Sequence, residues 1–330
     1  MTNQGENIFL EVKNLKTHFH LDEGTVKAVD GVSFKMKKGK TFGVVGESGC
    51  GKSVTARSIL RLEEVTDGEI ILHRNGETLD LAKMPATSEE LRKIRGKEIS
   101  MIFQEPMTAF SPVHTIGSQI EEAILLHQDV DQEEARKIAA EGLRRVGIPK
   151  PEERLDSYSF ELSGGMLQRA MISMAISCNP NLLIADEPTT ALDVTIQAQI
   201  LDLLLQLQEE LGMAIMLITH DMGVVAEMAD EVAVMYLGKI VELAPVEKLF
   251  YDPKHPYTRA LLKSIPKVGV KANRLESIEG MVPDPYNLPK GCKFHPRCPS
   301  YIEGVCDAAE PSEVEIDSEH RVSCFLYGGR

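Results

Sequence analysis

One segment constrains this chain more than any other: Gly46-Glu47-Ser48-Gly49-Cys50-Gly51-Lys52-Ser53. It fits the pattern G-x-x-x-x-G-K-[ST] at every position, after the apolar run Thr41–Val45 and before a helix-compatible stretch. The glycines let backbone N–H groups turn inward, and the N-terminus of the following helix adds positive potential. We therefore predict a phosphate-binding loop in which Lys52 reaches the β- and γ-phosphates of a nucleotide and the Ser53 hydroxyl binds Mg²⁺.

A second apolar strand, Leu182–Ala185, ends in the acidic pair Asp186 and Glu187. Ligands of open α/β sheets gather at the carboxyl ends of the strands, so we expect these carboxylates to serve the same nucleotide. Asp186 is predicted to hold Mg²⁺ directly or through water. Glu187 is predicted to orient or deprotonate the attacking water.

Hydrophobic periodicity predicts strands that alternate with helices, which favours an α/β fold with a sheet largely parallel at its centre. Asp131 and Glu134 form a capping-box pattern that opens a helix through about Arg145. Apolar residues recur every three or four positions over Val194–Leu211, and Gly212 stands where a left-handed helix cap belongs. The other predicted strands are Glu69–Leu72, Ile99–Phe103, Ala214–Ile218 and a hairpin of Glu231–Tyr236 and Lys239–Leu243.

Composition divides the chain into two modules, with a boundary near residues 249–253. Residues 251–330 hold nine of the 17 prolines and four of the six cysteines, and their charges balance, so the first 250 residues carry the whole net charge of −14. An acidic surface disfavours nonspecific nucleic-acid binding, which depends on Lys and Arg contacts to phosphate. The sequence shows no apolar run long enough to cross a bilayer and no evident secretory signal.

The segment Leu162-Ser163-Gly164-Gly165-Met166-Leu167-Gln168 precedes the strand that ends in Asp186, and it resembles the diagnostic stretch of the ATP-binding cassette ATPases. The resemblance implies a P-loop NTPase core with a mixed sheet in residues 1–250, including a helical subdomain at about 105–175. In that family Ser163 and Gly165 would contact the ATP of the opposite subunit across a head-to-tail dimer. Such contacts are favourable because the N-terminus of a helix carries positive potential, which attracts the γ-phosphate.

Other cassette positions match the family one at a time. Gln104 stands where the family has a glutamine that senses Mg²⁺ and faces the membrane subunits, and His220 where a histidine contacts the γ-phosphate. Ala191-Leu192-Asp193 resembles the segment that communicates across the dimer, with Asp193 near the partner's ATP. Phe19 falls where an aromatic ring stacks on adenine; ordinary packing at the edge of the fold is the alternative. The resemblance thus implies Glu187 and His220 as catalytic residues, Ser53, Gln104 and Asp186 as Mg²⁺ ligands, and Gly46–Ser53 as the ATP cradle.

Cys50 lies within the phosphate loop, near a helix N-terminus. That location tends to lower a thiol pKa, so we predict that alkylation of Cys50 blocks ATPase activity.

Two tail segments look like the C-terminal extension of oligopeptide/dipeptide transporter ATPases: His255-Pro256-Tyr257-Thr258-Arg259-Ala260-Leu261-Leu262 and Gly291-Cys292-Lys293-Phe294-His295-Pro296-Arg297-Cys298-Pro299. With the cassette, the resemblance runs from about Leu10 to Phe325. It implies the ATP-hydrolysing subunit of a binding-protein-dependent importer of oligopeptides or dipeptides, peripheral on the cytoplasmic face of the cell membrane. The implied partners are a second cassette ATPase, often non-identical, two transmembrane permease subunits and an extracytoplasmic solute-binding protein.

Two other functions stay open at this point. The same motor could serve an oligosaccharide, nickel or glutathione importer, because specificity resides in the other subunits. A soluble cassette ATPase of DNA repair or translation is the alternative of a different class. Such proteins often show paired cassettes, long insertions or basic surfaces, and the acidic balance of this chain points away from nucleic acid.

Four cysteines follow the spacing C-x₅-C-x₇-C-x₁₇-C: Cys292, Cys298, Cys306 and Cys324. They lie in a proline-rich extension that we expect to lack an independent core, and such a segment needs a cross-link such as a disulfide or a bound metal. Disulfides are disfavoured where nucleotide machinery works in a reducing cytosol. Zinc accepts four thiolates, but its usual sites use closer pairs. A [4Fe–4S] cluster also takes four cysteines, and the resemblance implies it, since some members of this transporter family carry such a cluster through these cysteines.

Overall fold

The computed structural model describes residues 8–74, 76–190, 192–265 and 278–328. Contacts divide the chain into two compact units: a first unit of Met1–Met36, Thr41–Lys83 and Thr219–Arg330, and a second unit of Lys37–Lys40 and Met84–Ile218. The predicted boundary near residue 250 stays a prediction, and the residues on both sides of it fall in the first unit.

Strands and helices alternate along much of the chain, as the sequence predicts. The strands are β1 (Ile8–Leu21), β2 (Gly24–Lys37), β3 (Thr41–Val45), β4 (Asp67–Arg74), β5 (Glu77–Asp80), β6 (Ile99–Ile102), β7 (Leu182–Asp186), β8 (Ala214–Thr219), β9 (Glu231–Tyr236), β10 (Lys239–Pro245), β11 (Val314–Asp317) and β12 (His320–Val322). The helices are α1 (Lys52–Ile59), α2 (Glu89–Ile94), α3 (Pro106–Ala109), α4 (Ile116–His127), α5 (Gln132–Arg145), α6 (Pro151–Leu155), α7 (Gly164–Ile176), α8 (Val194–Leu211), α9 (Met222–Met228), α10 (Val246–Tyr251) and α11 (Pro256–Lys263).

The first unit contains an antiparallel sheet in the order β2-β1-β4-β5. Neither of its long strands, β1 and β2, is among the strands that the sequence predicts. Both strands alternate buried and exposed positions over much of their length, which is the pattern of a sheet with one covered face.

A second group of strands in the first unit has the order β11-β12-β10-β9-β3. β3 and β9 are parallel and almost wholly buried, whereas β9 and β10 form the predicted antiparallel hairpin, in which Tyr236 pairs with Lys239. β12 adds to β10 from the C-terminal extension, and β11 pairs with β12. The extension therefore continues the same sheet that carries β3.

A buried carboxylate fastens the C-terminal extension to β10. Glu242 is fully buried and accepts hydrogen bonds from the backbone N–H groups of Lys254 at 2.6 Å and His255 at 2.8 Å. His320, on β12, lies 2.8 Å from the same carboxylate through Nε2. Although burial opposes ionisation, these hydrogen bonds together hold the pKa of Glu242 below its ordinary value.

The second unit holds three parallel strands in the order β8-β7-β6, each fully buried. The predicted helix over Val194–Leu211 is confirmed, and Gly212 caps it with φ +64°. The Asp131 carboxylate accepts from the backbone N–H of Glu134 at the start of α5, as the capping pattern predicts. Helices α3–α7 fall in the predicted helical subdomain. Among the described residues, no helix is both long enough and apolar enough to span a bilayer.

Candidate active site

The phosphate loop lies between the end of β3 and the start of α1, as predicted. Two of its glycines cannot be replaced by a residue with a side chain. Gly46 has φ +154°, and a Cβ there would lie 2.2 Å from the carbonyl oxygen of Met235. Gly51, the N-cap of α1, has φ +102°, and its Cβ would lie 2.1 Å from the carbonyl oxygen of Ala28. The sequence pattern thus reflects backbone that passes too close to its neighbours for any side chain.

Lys52 is the first residue of α1 and is only 5% exposed. Its Nζ donates to the carbonyl oxygen of Gly46 at 2.8 Å and to that of Glu47 at 3.1 Å. The ammonium group therefore lies within the concavity of the loop, where its charge and the α1 N-terminus both favour an anion.

Glu47 links the loop to the C-terminal extension. Its backbone N–H donates to the hydroxyl oxygen of Tyr257 at 2.8 Å. Its carboxylate receives both terminal nitrogens of Arg297, at 2.7 and 3.0 Å, in a two-pronged ion pair. Tyr257 and Arg297 lie within the two tail motifs, but the sequence predicts no role for either. They are 210 and 250 positions from Glu47, and no local pattern relates residues so far apart.

The second unit brings Gln104 and Glu187 together. Glu187 follows Asp186 with φ +48°, and its backbone N–H donates to the Ile218 carbonyl at 2.8 Å. Its carboxylate accepts from the Gln104 side-chain amide at 3.1 Å and from the Thr190 hydroxyl at 2.8 Å. Asp186 ends β7 and is 1% exposed. The left-handed backbone at Glu187 is uncommon for a residue with a side chain.

Ser163 and Asp193 each cap a helix. The Ser163 hydroxyl accepts from the backbone N–H of Met166 at 3.4 Å at the start of α7, and Asp193 Oδ1 accepts from the N–H of Ile196 at 3.0 Å at the start of α8. A Cβ on Gly165 would lie 3.2 Å from Ile196 Cγ2, so the two helix N-termini lie side by side. Ser163 and Asp193 are exposed and Gly165 is half-buried, which leaves this surface accessible to another chain.

The remaining predicted residues fall in the first unit. Phe19 lies on β1 and is half-buried, and His220 follows β8 and is exposed. Ala191, of the segment predicted to communicate across a dimer, lies outside the described residues.

Comparisons with known proteins agree with these features. The family model described as "ABC transporter" matches residues 29–190, and the one described as "Oligopeptide/dipeptide transporter, C-terminal region" matches residues 241–306. The oligopeptide transport ATP-binding protein AppD of Bacillus subtilis is 50% identical over 323 residues, which cover 96% of each chain. The chain belongs to the ATP-binding cassette family. The dipeptide transport ATP-binding proteins DppD of Bacillus subtilis and Escherichia coli are 48% and 47% identical, with 95% and 92% of their lengths covered.

Solved cassette structures share the fold. A dimeric structure of the ATP-binding cassette MJ0796, bound to ADP and Pi in a post-hydrolysis state, is 27% identical, with a TM-score of 0.64. The match covers 72% of this chain and 98% of that one. A second dimeric structure of MJ0796 is 28% identical, with the same TM-score of 0.64 and the same coverage of both chains. The α/β cassette core expected from the motifs is therefore confirmed.

The expectation of a lowered thiol pKa at Cys50 is wrong, whereas the effect of Cys50 alkylation on ATPase activity stays a prediction. The thiol is 3% exposed, and burial raises its pKa, although the nearby Lys52 charge acts in the opposite direction. The Cys50 sulfur lies against Gly46, 2.7 Å from the point where a Gly46 Cβ would stand. Desolvation of the thiolate outweighs the local positive potential here.

The four clustered cysteines of the extension have no disulfide partner. The Cys292 thiol interacts electrostatically with the other three, and burial raises its pKa to about 11. The Cys306 sulfur accepts the backbone N–H of Ile302 at 3.4 Å. Burial also raises the pKa of the Cys298 and Cys324 thiols, although nearby backbone groups act in the opposite direction.

These thiols suit a sulfur-ligated centre by their chemistry, because such centres are held by four cysteine sulfurs. Their arrangement does not support one. Within residues 8–74, 76–190, 192–265 and 278–328, no group of three or more His, Cys, Asp or Glu side chains is placed to hold a metal ion. The expected iron–sulfur cluster, and zinc as its alternative, are therefore not supported.

Proposed function

We propose that this chain is the ATP-hydrolysing subunit of a binding-protein-dependent importer for oligopeptides or dipeptides. One observation carries the proposal: relatives named for oligopeptide and dipeptide transport are about half identical along nearly the whole chain, including the C-terminal extension. The intact phosphate loop, with Lys52 in its concavity, supports ATP as the energy source.

The proposed ATP site uses the residues that the motifs single out. Lys52 binds the β- and γ-phosphates, the loop amides from Gly46 to Ser53 surround them, and Phe19 stacks on adenine. Ser53, Gln104 and Asp186 would hold Mg²⁺ through side-chain oxygen atoms, which suit that hard cation, and the bound ion would neutralise phosphate charge. Glu187 orients or deprotonates the attacking water, and His220 contacts the γ-phosphate.

Each subunit also serves its partner in this proposal. Ser163, Gly165 and Asp193 of one cassette contact the ATP bound by the other, so that ATP holds a head-to-tail dimer closed. The exposure of Ser163 and Asp193 at two neighbouring helix N-termini supports this role. Hydrolysis removes the γ-phosphate and with it the contacts that favour the closed form.

The partners follow from the transporter assignment. They are a second cassette ATPase, often non-identical, two transmembrane permease subunits and an extracytoplasmic solute-binding protein. The chain would lie peripherally on the cytoplasmic face of the membrane, and nucleic acid is not a partner, in keeping with the net charge of −14.

Reconstitution tests the proposal. The chain is purified with its permeases and partner ATPase, placed in liposomes, and assayed for Mg²⁺-dependent ATP hydrolysis that rises when the binding protein and a di- or oligopeptide are added. Lys52→Ala serves as the inactive control. Hydrolysis stimulated only by an oligosaccharide, nickel or glutathione would assign the motor to another solute, and salt-sensitive retention on nucleic acid would favour the soluble class.

A [4Fe–4S] cluster on Cys292, Cys298, Cys306 and Cys324 is a separate proposal. Four free thiols that lie close enough to interact electrostatically support it, whereas the arrangement of the described side chains does not. Anaerobic purification followed by iron, sulfide and zinc analysis tests it. About four irons per chain and a broad absorbance near roughly 400 nm are expected; an iron-free, colourless chain would refute it, and one bound zinc would establish the alternative.

A further inference from the structure

The contacts of Glu47 suggest a role for the C-terminal extension in nucleotide binding. All three polar groups of Glu47 are engaged. The carboxylate pairs with Arg297, the backbone N–H donates to the Tyr257 hydroxyl, and the carbonyl oxygen accepts from Lys52 Nζ. Glu47 therefore contacts both the C-terminal extension and the Lys52 ammonium group, which is expected to bind the phosphates.

Arg297 is held firmly enough to act as a support. Its side chain is 3% exposed, compared with 25% for that of Glu47. Its Nε donates to the Glu279 carbonyl at 3.1 Å, and its guanidinium lies 6.0 Å from the centre of the Tyr236 ring. A planar guanidinium that is fixed on several sides can orient a carboxylate in a way that a flexible ammonium cannot.

Tyr257 supports the same loop residue from a packed aromatic cluster. Its ring is fully buried and lies 4.7 Å from that of Tyr236 and 5.3 Å from that of Phe294, between ring centres. Phe294 precedes the short 3₁₀ turn His295–Arg297, so the cluster and the arginine belong to one packed body. Burial raises the pKa of the Tyr257 hydroxyl, which keeps it neutral while it accepts from Glu47.

We propose that Arg297 is a positioning residue for ATP binding: through its two-pronged contact with Glu47, the C-terminal extension holds the phosphate loop, and with it Lys52, in the nucleotide-binding conformation. This inference rests on the proposed ATPase function. It assigns the extension a part in the ATP site, beyond its own packing. The loop residue fixed in this way is the second residue of the G-x-x-x-x-G-K-[ST] pattern, a position that the motif leaves variable.

A double-mutant cycle on the full-length chain tests the inference. Arg297→Gln and Glu47→Gln each remove the ion pair; Glu47→Gln also keeps side-chain volume, and Arg297→Gln keeps a polar side chain with a flexible stem. Each is expected to weaken binding of a fluorescent ATP analogue about five- to tenfold, a range consistent with loss of a partly buried charged hydrogen-bonded pair. In the assembled ATPase, the KM for ATP should rise while kcat at saturating ATP stays within about twofold, because the hydrolytic groups are untouched. The double variant should bind ATP no more weakly than either single variant.

Arg259→Gln is the matched control. Arg259 belongs to the same extension, and its hydrogen bonds go to the Pro253 carbonyl and the Tyr327 hydroxyl. It should leave ATP affinity unchanged. If Arg297→Gln does not fold, Glu47→Gln removes the same pair from the loop side and leaves the extension intact.

Three results would overturn the inference. These are normal ATP affinity in Arg297→Gln and Glu47→Gln, fully additive losses in the double variant, and a fall in kcat with KM unchanged. A wild-type chain that binds no ATP would instead overturn the proposed function, so the two failures are distinguishable.

Discussion

The side-chain amide of Gln104 donates a 3.1 Å hydrogen bond to the carboxylate of Glu187, 83 residues further along the chain. The two residues meet because β6 and β7 are neighbouring parallel strands in which Ile102 pairs with Ala185. Gln104 and Glu187 each stand two residues past that pair, and parallel strands end at the same edge of a sheet. A residue expected to sense Mg²⁺ thus contacts the residue expected to activate water.

Glu187→Gln should reduce ATP turnover while preserving ATP binding. An amide cannot take a proton from water, and loss of a general base costs about a hundredfold or more in rate. The side-chain volume is kept, so the variant should also accumulate the closed dimer with ATP bound. Steady-state hydrolysis and equilibrium nucleotide binding measure the two effects. Glu209→Gln, at an exposed position of α8, is the matched control, and near-normal hydrolysis in Glu187→Gln would contradict its assignment.

Gly51→Ala should abolish nucleotide binding and lower the melting temperature. Its Cβ would lie 2.1 Å from the Ala28 carbonyl oxygen, so the backbone of one of these segments must shift. Gly212→Ala is the control, because Gly212 also has positive φ but has open space around its Cβ. That variant should lose only about 1 kcal/mol of stability through backbone strain. Equal losses in thermal denaturation would show that the close approach to Ala28 is unimportant.

Cys50 should react slowly with iodoacetamide in the folded protein. The thiolate is the reactive form, and burial both raises the Cys50 thiol pKa and blocks access. Mass spectrometry after timed labelling at neutral pH should find Cys178, which is half-buried, modified before Cys50. Under denaturing conditions the two should react at similar rates. Rapid labelling of Cys50 in the folded chain would restore the idea of a reactive loop cysteine.

His255 should make the chain less stable as the pH falls from about 6.5 to about 4. Complete burial lowers the pKa of His255 from 6.5 to about 4, so within this range the unfolded chain binds a proton that the folded chain does not. Its neutral Nδ1 accepts the backbone N–H of Tyr257, a contact that protonation would destroy. The stability associated with neutral His255 is fully present above about pH 6.5. Its loss at low pH lowers the free energy of unfolding by at most about 3 kcal/mol.

His255→Asn isolates this effect, since asparagine is a good helix cap and does not titrate. Urea denaturation at several pH values should show a smaller loss of unfolding free energy between about pH 6.5 and 4 for this variant. An identical pH dependence in both proteins would exclude His255 as the cause.

Local sequence signals anticipated the elements that carry the chemistry. The phosphate loop, the strand before Asp186, the helix capped by Gly212 and the β9–β10 hairpin each have a signature within about twenty residues, and each is confirmed. The long strands β1 and β2 were missed because their polar alternation resembles an exposed surface until the opposing strand is known. The lowered thiol pKa expected at Cys50 is wrong for a related reason: a helix N-terminus is visible in the sequence, whereas the burial that outweighs it depends on the packed structure.

By itself, the sequence determined the family, the phosphate loop and the acids that follow β7, because these depend on residues close together in the chain. Only the tertiary structure decided that Glu47 is hydrogen-bonded to Tyr257 and Arg297. It also decided that Gln104 contacts Glu187 and that the Cys50 thiol is buried. The physical reason is that hydrogen-bond geometry and desolvation depend on distances across the fold, and residues 83 to 250 positions apart acquire those distances only when the strands assemble.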